Sequence, residues 1–457
     1  MRHRFRWVTA AALALTGLLA STALAAITWG NAPGATTGRL GPNYTWNNGD
    51  PVLDQHGTDD GILSAGYVTD TINGVFAQDD GVHMGVYYVR STNDGGTWSK
   101  PKRLNPGAKH GDRLTLQAEG NVIVAAYMDQ VKYYQGNQST FNPASKRFIF
   151  VRRNASNGAA AAWEPAQKLP GQTKKSRGDY LYMGASGSNF YVATTNTQNG
   201  NIWLWRSTDA GQTWSDPITL GTTSATDTVT GYVGGFSGLP AVAATGDNVV
   251  VSWVNTAAGE VVARVSDNAG ASFGAPTTLE ASGGNENNGY VQAAGRDSRL
   301  AVTWTTADGA FLRIYNTGTD TWGTERTITT FPDPDPNVPS TLDDGGEGAI
   351  VALDAGNTVG IALSECNTTS TGSFVCNNPQ LSLGQTRETL VWRQSSDNGA
   401  SFSAASIIAP VTNNQGTYIN NYGSAIFHEG SPYVLWNAHN AAYTAYTNQL
   451  RVGSGTP

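Results

Sequence analysis

The chain has 457 residues, of which 14% are charged, and it carries 54 glycines. Setting aside Arg2, Arg4 and Arg6 of the leader leaves 25 basic residues against 35 acidic ones. That balance disfavours nucleic acid, whose phosphates recruit Lys and Arg. No stretch after the leader approaches the roughly 20 apolar residues that a membrane-spanning helix needs.

The leader itself is readable. Three arginines, an apolar run from Val8 to Leu19 and the small residues Ala23-Leu24-Ala25 make residues 1–25 a secretory signal. The expected location is therefore extracellular, and residues 26–457 are read as one domain, expected as a monomer.

Beyond the leader the chain repeats. In one unit, Leu239–Ala244, Val249–Val254, Glu260–Val265 and Thr277–Leu279 are short β-branched or apolar runs separated by Gly, Asn and Asp. Four such antiparallel strands make one propeller blade. Equivalent units run over 62–106, 112–170, 178–222, 236–282, 289–330, 347–410 and 421–451. The predicted fold is an all-β propeller of seven four-stranded blades, with six as the alternative count. The seventh unit stops near Arg451, and Thr28-Trp29 resembles the start of a fourth strand. The N-terminal strand is therefore predicted to complete the last blade and remove an exposed edge.

An arginine recurs at positions 90, 153, 206, 264, 313, 393 and 451, most often just before one kind of turn. The clearest copy is Ser207-Thr208-Asp209-Ala210-Gly211-Gln212-Thr213-Trp214, with variants at Ser91–Trp98, Ser266–Phe273 and Ser395–Phe402 and degenerate copies at Asn154–Trp163 and Tyr315–Trp322. The Asp or Asn accepts hydrogen bonds from its own turn, and the aromatic residue buries against the blade. Asn93, Asp209, Asn268 and Asp397 are accordingly structural, as are the arginines, because an active site is not sevenfold.

The pattern Ser-x-Asp-x-Gly-x-Thr-Trp is the Asp-box, and the chain resembles the sialidase-superfamily, or BNR-repeat, β-propellers over nearly its whole length after the leader. The resemblance implies that these turns lie on the outer rim, away from a site at one mouth of the central channel. It implies a carbohydrate partner, no required cofactor, three arginines holding a sugar carboxylate, an Asp as acid/base and a Tyr–Glu nucleophile pair. The Phe/Tyr-Arg-Ile-Pro signature of sialidases is absent.

Residues just before the innermost strand of each blade supply the candidates. Gly111-Asp112-Arg113 and Arg177-Gly178-Asp179 place an acid and an arginine at like positions in blades two and three. The candidate catalytic residues are Asp112, Asp179, Glu347 and Tyr422. The candidate substrate-binding residues are Arg113, Arg177, Tyr290 and Arg296. A planar guanidinium suits a carboxylate because it donates two parallel hydrogen bonds. Gly-Asp before a strand also serves as a simple turn. Asp129 ends a second strand. Cys366 and Cys376 are expected to pair in an exported chain. No metal motif is present, although the oxygens of Asp333–Asn337 suit Ca²⁺. The leading functional expectation is an exo-acting glycoside hydrolase on extracellular glycans. The alternatives are a non-catalytic propeller that binds glycans or proteins, and a polysaccharide lyase.

Overall fold

The structure is a computed structural model. It describes residues 27–31, 61–65, 71–79, 84–94, 96–105, 110–130, 147–173, 178–196, 199–223, 240–255, 258–280, 291–306, 309–330, 349–366, 388–409, 418–439 and 446–454. The leader and Cys376 lie outside them. Among the described residues no helix is long and apolar enough to cross a membrane.

Among the described residues seven antiparallel sheets form. Blade 1 holds Gly61–Ala65, Ile72–Asp79, Met84–Ser91 and Lys102–Arg103. Blade 2 holds His110–Glu119, Val122–Gln130, Arg147–Asn154 and Gln167–Lys168. Blade 3 holds Gly178–Ser186, Asn189–Asn196, Asn201–Ser207 and Ile218–Thr222. Blade 4 holds Ala241–Thr245, Asn248–Asn255, Glu260–Ser266 and Thr277–Glu280. Blade 5 holds Val291–Arg296, Arg299–Thr306, Gly309–Asn316 and two short outer pieces, Thr321–Trp322 and Arg326–Thr330. Blade 6 holds Ile350–Leu353, Val359–Cys366, Glu388–Ser395 and Ser406–Ala409. Blade 7 takes Tyr418–His428, Ser431–His439 and Tyr446–Ser454, and its fourth strand is Thr28–Asn31.

The predicted closure is present. Thr28 pairs with Ser454, Trp29 with Gly453, Gly30 with Val452 and Asn31 with Arg451. The first strand of each blade touches the first strand of the next, and that of blade 7 touches that of blade 1, so the innermost strands form a closed ring. Alternation along each strand sends successive residues to opposite faces, so each blade buries one face against each neighbour. The result is seven wedge-shaped cores, one at each junction. Near the axis the strands come close: a Cβ on Gly295 would collide with the Ala244 carbonyl.

The repeated turns are built as expected and do more than turn the chain. In blade 3, Asp209 Oδ1 accepts from the backbone of Gln212 at 3.0 Å and Thr213 at 2.9 Å, and Thr213 Oγ1 donates to Oδ2 at 2.6 Å. Burial raises the Asp209 pKa, but the hydrogen bonds from Thr213, Ser207 and Gln212 together outweigh it and hold the carboxyl below the usual range. The residue before the glycine is also left-handed: φ is 57° at Ala210, 53° at Ala269, 48° at Asn157 and 60° at Asn398. Its N–H donates to the first hairpin of its own blade, Ala210 to Ser188 O at 2.8 Å and Ala269 to Asp247 O at 2.8 Å. The turns therefore sit at the end of the ring where first strands run into second strands.

The carbonyl of that left-handed residue is taken by the preceding blade. Arg153 Nε donates to Ala210 O at 2.6 Å and Arg206 Nη1 to Ala269 O at 3.3 Å, and Arg90 donates to Asn157 O. At the 7–1 junction Tyr433 Oη donates to Asp94 O at 3.1 Å, and His428 Nε2 lies 3.0 Å from Asp94 Oδ1. Arg152, Arg264 and Arg313 face the other way and donate to Leu104 O, Leu220 O and Leu279 O of the blade behind, at 2.8, 2.7 and 3.1 Å. Arg206 immediately precedes the serine of its turn, whereas Arg264 stands two before its own. One residue of offset in a strand exchanges the two faces, so one recurrent arginine serves two opposite junctions.

Candidate functional site

The two ends of the ring differ. At one end lie the repeated turns and the hairpins that join first to second strands. At the other end the first strands begin and the second strands finish. The candidate acids belong to the second end.

There, three innermost strands stand out. Those of blades 2, 3 and 7 have 10, 9 and 11 residues, against 4 to 6 in the other four blades. Each of the three long strands also slips register near its start. In blade 2 the slip falls between Asp112, opposite Met128, and Thr115, opposite Ala126. In blade 3 it falls between Asp179, opposite Thr195, and Tyr182, opposite Ala193. In blade 7 it falls between Asn420, opposite Asn437, and Ser424, opposite Leu435. Two residues thus oppose one in blades 2 and 3, and three oppose one in blade 7. Such bulges bend a strand and re-aim its side chains, and they concentrate at rims and active sites.

The nominated residues fall on these irregularities. Asp112 and Asp179 start the bulges of two neighbouring blades, Arg113 is inside the first, and Tyr422 is inside the third. Sequence alone places Gly-Asp ahead of each strand, but both acids lie within the strand. Regular pairing resumes only past the bulge, at Thr115 and Tyr182, and this shortens the apparent strand. Arg177, Glu347 and Tyr290 lie outside the described residues, as does Asp333–Asn337. Cys366 closes the second strand of blade 6 opposite Glu388.

Arg296 is not brought to this end. It closes the first strand of blade 5 at the hairpin into the second, opposite Arg299, and its Nη2 lies 3.5 Å from Asp354 Oδ1. The sequence gives Arg296 the right residue type, but its place as the sixth and last residue of the strand carries it through to the far mouth.

Asp129 is a further acid at this end of blade 2. It pairs opposite Gly111, the residue before Asp112, and is 2% exposed. Burial raises the pKa of neighbouring Tyr127, and the Asp129 charge raises it further. Its signal in the sequence is an acid ending an otherwise apolar strand, Val122–Met128. Buried Thr195 and Asn196 occupy the matching end in blade 3, opposite Asp179 and Gly178. Among the described residues no three His, Cys, Asp or Glu side chains gather as a metal group.

At the far mouth, burial pushes the Glu119 carboxyl up to about 7, against a lowering hydrogen bond from the Gly187 backbone. A carboxyl whose folded pKa lies above its unfolded one binds more protons folded than unfolded, so stability falls as pH rises from about 4.5 to about 7. A full shift of this size corresponds to about 3 kcal/mol, and partial exposure reduces it to roughly 1–2 kcal/mol. Glu119→Gln is expected to raise stability by that amount at pH 8 and to leave it nearly unchanged at pH 4.5, read by urea denaturation at both values.

No protein-family model matches the chain, and no curated protein sequence matches it. Among solved structures it is similar to Trypanosoma rangeli sialidase in complex with the inhibitor DANA, at 11% identity over 86% of this chain and 55% of that one, TM-score 0.41. It is similar to an ulvan lyase of a polysaccharide lyase family, at 11% identity over 90% of this chain and 94% of that one, TM-score 0.48. A Hadza microbial sialidase is similar at 13% identity over 80% of this chain and 73% of that one, TM-score 0.39. The chain spans little more than half the length of the T. rangeli enzyme. Residue roles do not transfer at such identities.

Proposed function

We propose that the mouth at the leading ends of the innermost strands is a glycan-active site and that the protein is a secreted, exo-acting glycoside hydrolase. One observation carries the reading: the three long innermost strands are the three bulged ones, and Asp112, Arg113, Asp179 and Tyr422 stand on those bulges. A plain structural turn needs neither the added length nor the slipped register.

The chemistry follows from the residue types. Glycoside hydrolysis needs one group that protonates the leaving oxygen and a second that attacks the anomeric carbon or activates water. Asp112 and Asp179, on adjacent innermost strands, supply the pair, and Tyr422 supplies a phenol nucleophile as the alternative partner. Arg113 fits a substrate carboxylate. In this reading residues 1–25 direct export and Cys366 pairs with Cys376.

The test is a screen of the protein without residues 1–25 on sialosides and on plant and microbial polysaccharides. Asp112→Asn and Asp179→Asn are each expected to lower kcat by about 100-fold or more on whichever substrate is cleaved. An active wild type with both variants unimpaired rejects the site. A wild type that binds glycans and cleaves none makes this a binding propeller.

A further inference from the structure

Charge is unevenly spread along the chain. All eight lysines lie between Lys100 and Lys175, and residues 100–177 hold 14 Lys and Arg against 4 Asp and Glu. Residues 26–99 and 178–457 together hold 11 against 31. The basic stretch starts at the outer strand of blade 1 and runs through blade 2. Lys100, Lys102 and Lys168 are exposed, and among the described residues no carboxylate pairs with them. Glu164 pairs instead with Arg153, whose Nε reaches Ala210 O of blade 3, so its charge is met on the side turned to blade 3.

Two of these lysines face each other across one junction. Lys102 pairs opposite Tyr88, and Lys168 pairs opposite Phe150. Directly opposed residues share a face of their sheet. Tyr88 and Phe150 belong to the core between blades 1 and 2, so Lys102 faces blade 2 and Lys168 faces blade 1. Sheets packed face to face stand about 10 Å apart, a gap that two lysine side chains span together. Lys168 Nζ lies 4.7 Å from the centre of the Phe148 ring. Deeper in, the Arg152 guanidinium ties Leu104 O of blade 1 to Trp163 O and Glu164 O of blade 2 and adds a third positive charge.

The architecture does not require lysine at these two positions. The pair is Gln167 and Thr219 at the 2–3 junction and Ile218 and Thr278 at the 3–4 junction. It is Thr277 and Thr327 at the 4–5 junction and Arg326 and Ile407 at the 5–6 junction. None of these pairs carries more than one charge.

We propose that the outer groove between blades 1 and 2 binds a linear acidic polysaccharide, one whose anionic groups recur along the chain. The inference rests on the glycan reading of the mouth and names the class of glycan. An ammonium is a compact point charge on a flexible stem, so it meets sulfate esters or uronate carboxylates without fixing their orientation. Exposed charges of one sign gather an oppositely charged ligand from solution. The acidic remainder of the chain repels the same ligand and so confines it to this groove, while a neutral glycan gains nothing from the lysines. Asp112 and Arg113 stand on the innermost strand of blade 2, so the groove and the proposed acid share a blade.

The experiment is calorimetric titration of the protein without residues 1–25 with dextran sulfate, polygalacturonate, neutral dextran and double-stranded DNA, at low and at high salt. It is repeated on three variants. Lys102→Gln with Lys168→Thr installs the residues that blades 2 and 3 carry at the like positions, Lys102→Arg with Lys168→Arg keeps the charge, and Arg326→Thr removes one charge at the like position of blade 5. At least one acidic polysaccharide is expected to bind wild type about tenfold or more tighter than dextran or DNA, and to weaken as salt screens the lysines. Affinity is expected to fall about tenfold in the uncharged pair, and to stay within about threefold in the arginine pair and in Arg326→Thr. Wild type that binds neither acidic polysaccharide, or that binds dextran or DNA as tightly, overturns the groove. So does an uncharged pair that binds like wild type, or an arginine pair as weak as the uncharged one. Asp112→Asn separates the two readings. Binding retained there with turnover lost supports both. Binding by a wild type that cleaves no glycan removes the hydrolase and keeps the groove. Cleavage of neutral glycans with no acidic polysaccharide bound removes the groove and keeps the hydrolase.

Discussion

Deleting residues 27–31 is expected to lower stability by about 3–5 kcal/mol and to produce a species that self-associates. The segment is short, but it closes the ring. Its four strand residues pair with Arg451–Ser454, the third strand of blade 7. Ile27 belongs to the core between blades 6 and 7, and the Trp29 ring meets that of Trp392 edge-on at 5.7 Å. Ser406 ties the two segments together: its Oγ donates to Ile27 O at 2.6 Å and accepts from Trp29 Nε1 at 3.1 Å. Loss of the segment uncovers Trp392 and leaves the third strand of blade 7 as a free edge, which invites pairing between molecules. Trp29→Ala keeps the backbone ladder and is expected to cost about half as much, since it removes the ring and one hydrogen bond but not the edge. Denaturation midpoints and sedimentation of wild type, Trp29→Ala and the deletion give the ranking. Equal midpoints in all three overturn the idea that the N-terminal strand closes the propeller.

Most of this architecture is legible in the sequence because it repeats. The turn Ser207–Trp214 marks where a third strand ends, and the units read from it begin within a few residues of the observed blades. The closure at Thr28-Trp29 follows from a missing fourth strand after Arg451. The candidate site is less legible, for a physical reason. A bulge is a difference in length between two paired strands, and it exists only in the register. Gly111-Asp112-Arg113 reads as a turn when seen alone, because the partner that makes it a bulge, Tyr127, lies in the following strand. Asp129 hides in the same way: sequence shows an acid at the end of an apolar run, and only packing makes it buried. Arg296 reads as a site residue because sequence spacing does not say at which mouth a short strand delivers its last residue.

The recurrent arginines make the same point with a measurable consequence. Their pitch is visible in the sequence, and their division into two sets is not. Arg264 donates from Nε to Gly274 O at 2.7 Å, from Nη2 to Phe273 O at 3.1 Å and from Nη1 to Leu220 O of blade 3 at 2.7 Å. It thereby fastens the turn that leads into its own outer strand and the blade behind with one planar group. Arg152 repeats the arrangement on Glu164 O, Trp163 O and Leu104 O. Arg264→Met leaves three carbonyls without their donor at a partly buried junction and is expected to destabilise the protein by about 2–3 kcal/mol. Arg264→Lys is expected to recover little of this, because an ammonium on a flexible stem does not reproduce the fixed fork of a guanidinium. Arg326→Ala, at an exposed position on the outer edge of blade 5, is expected to change stability by no more than about 0.5 kcal/mol. Urea midpoints of the three variants settle the matter. A lysine variant as stable as wild type would show that charge alone holds the junction, and the two-sided clip would then be geometry without consequence.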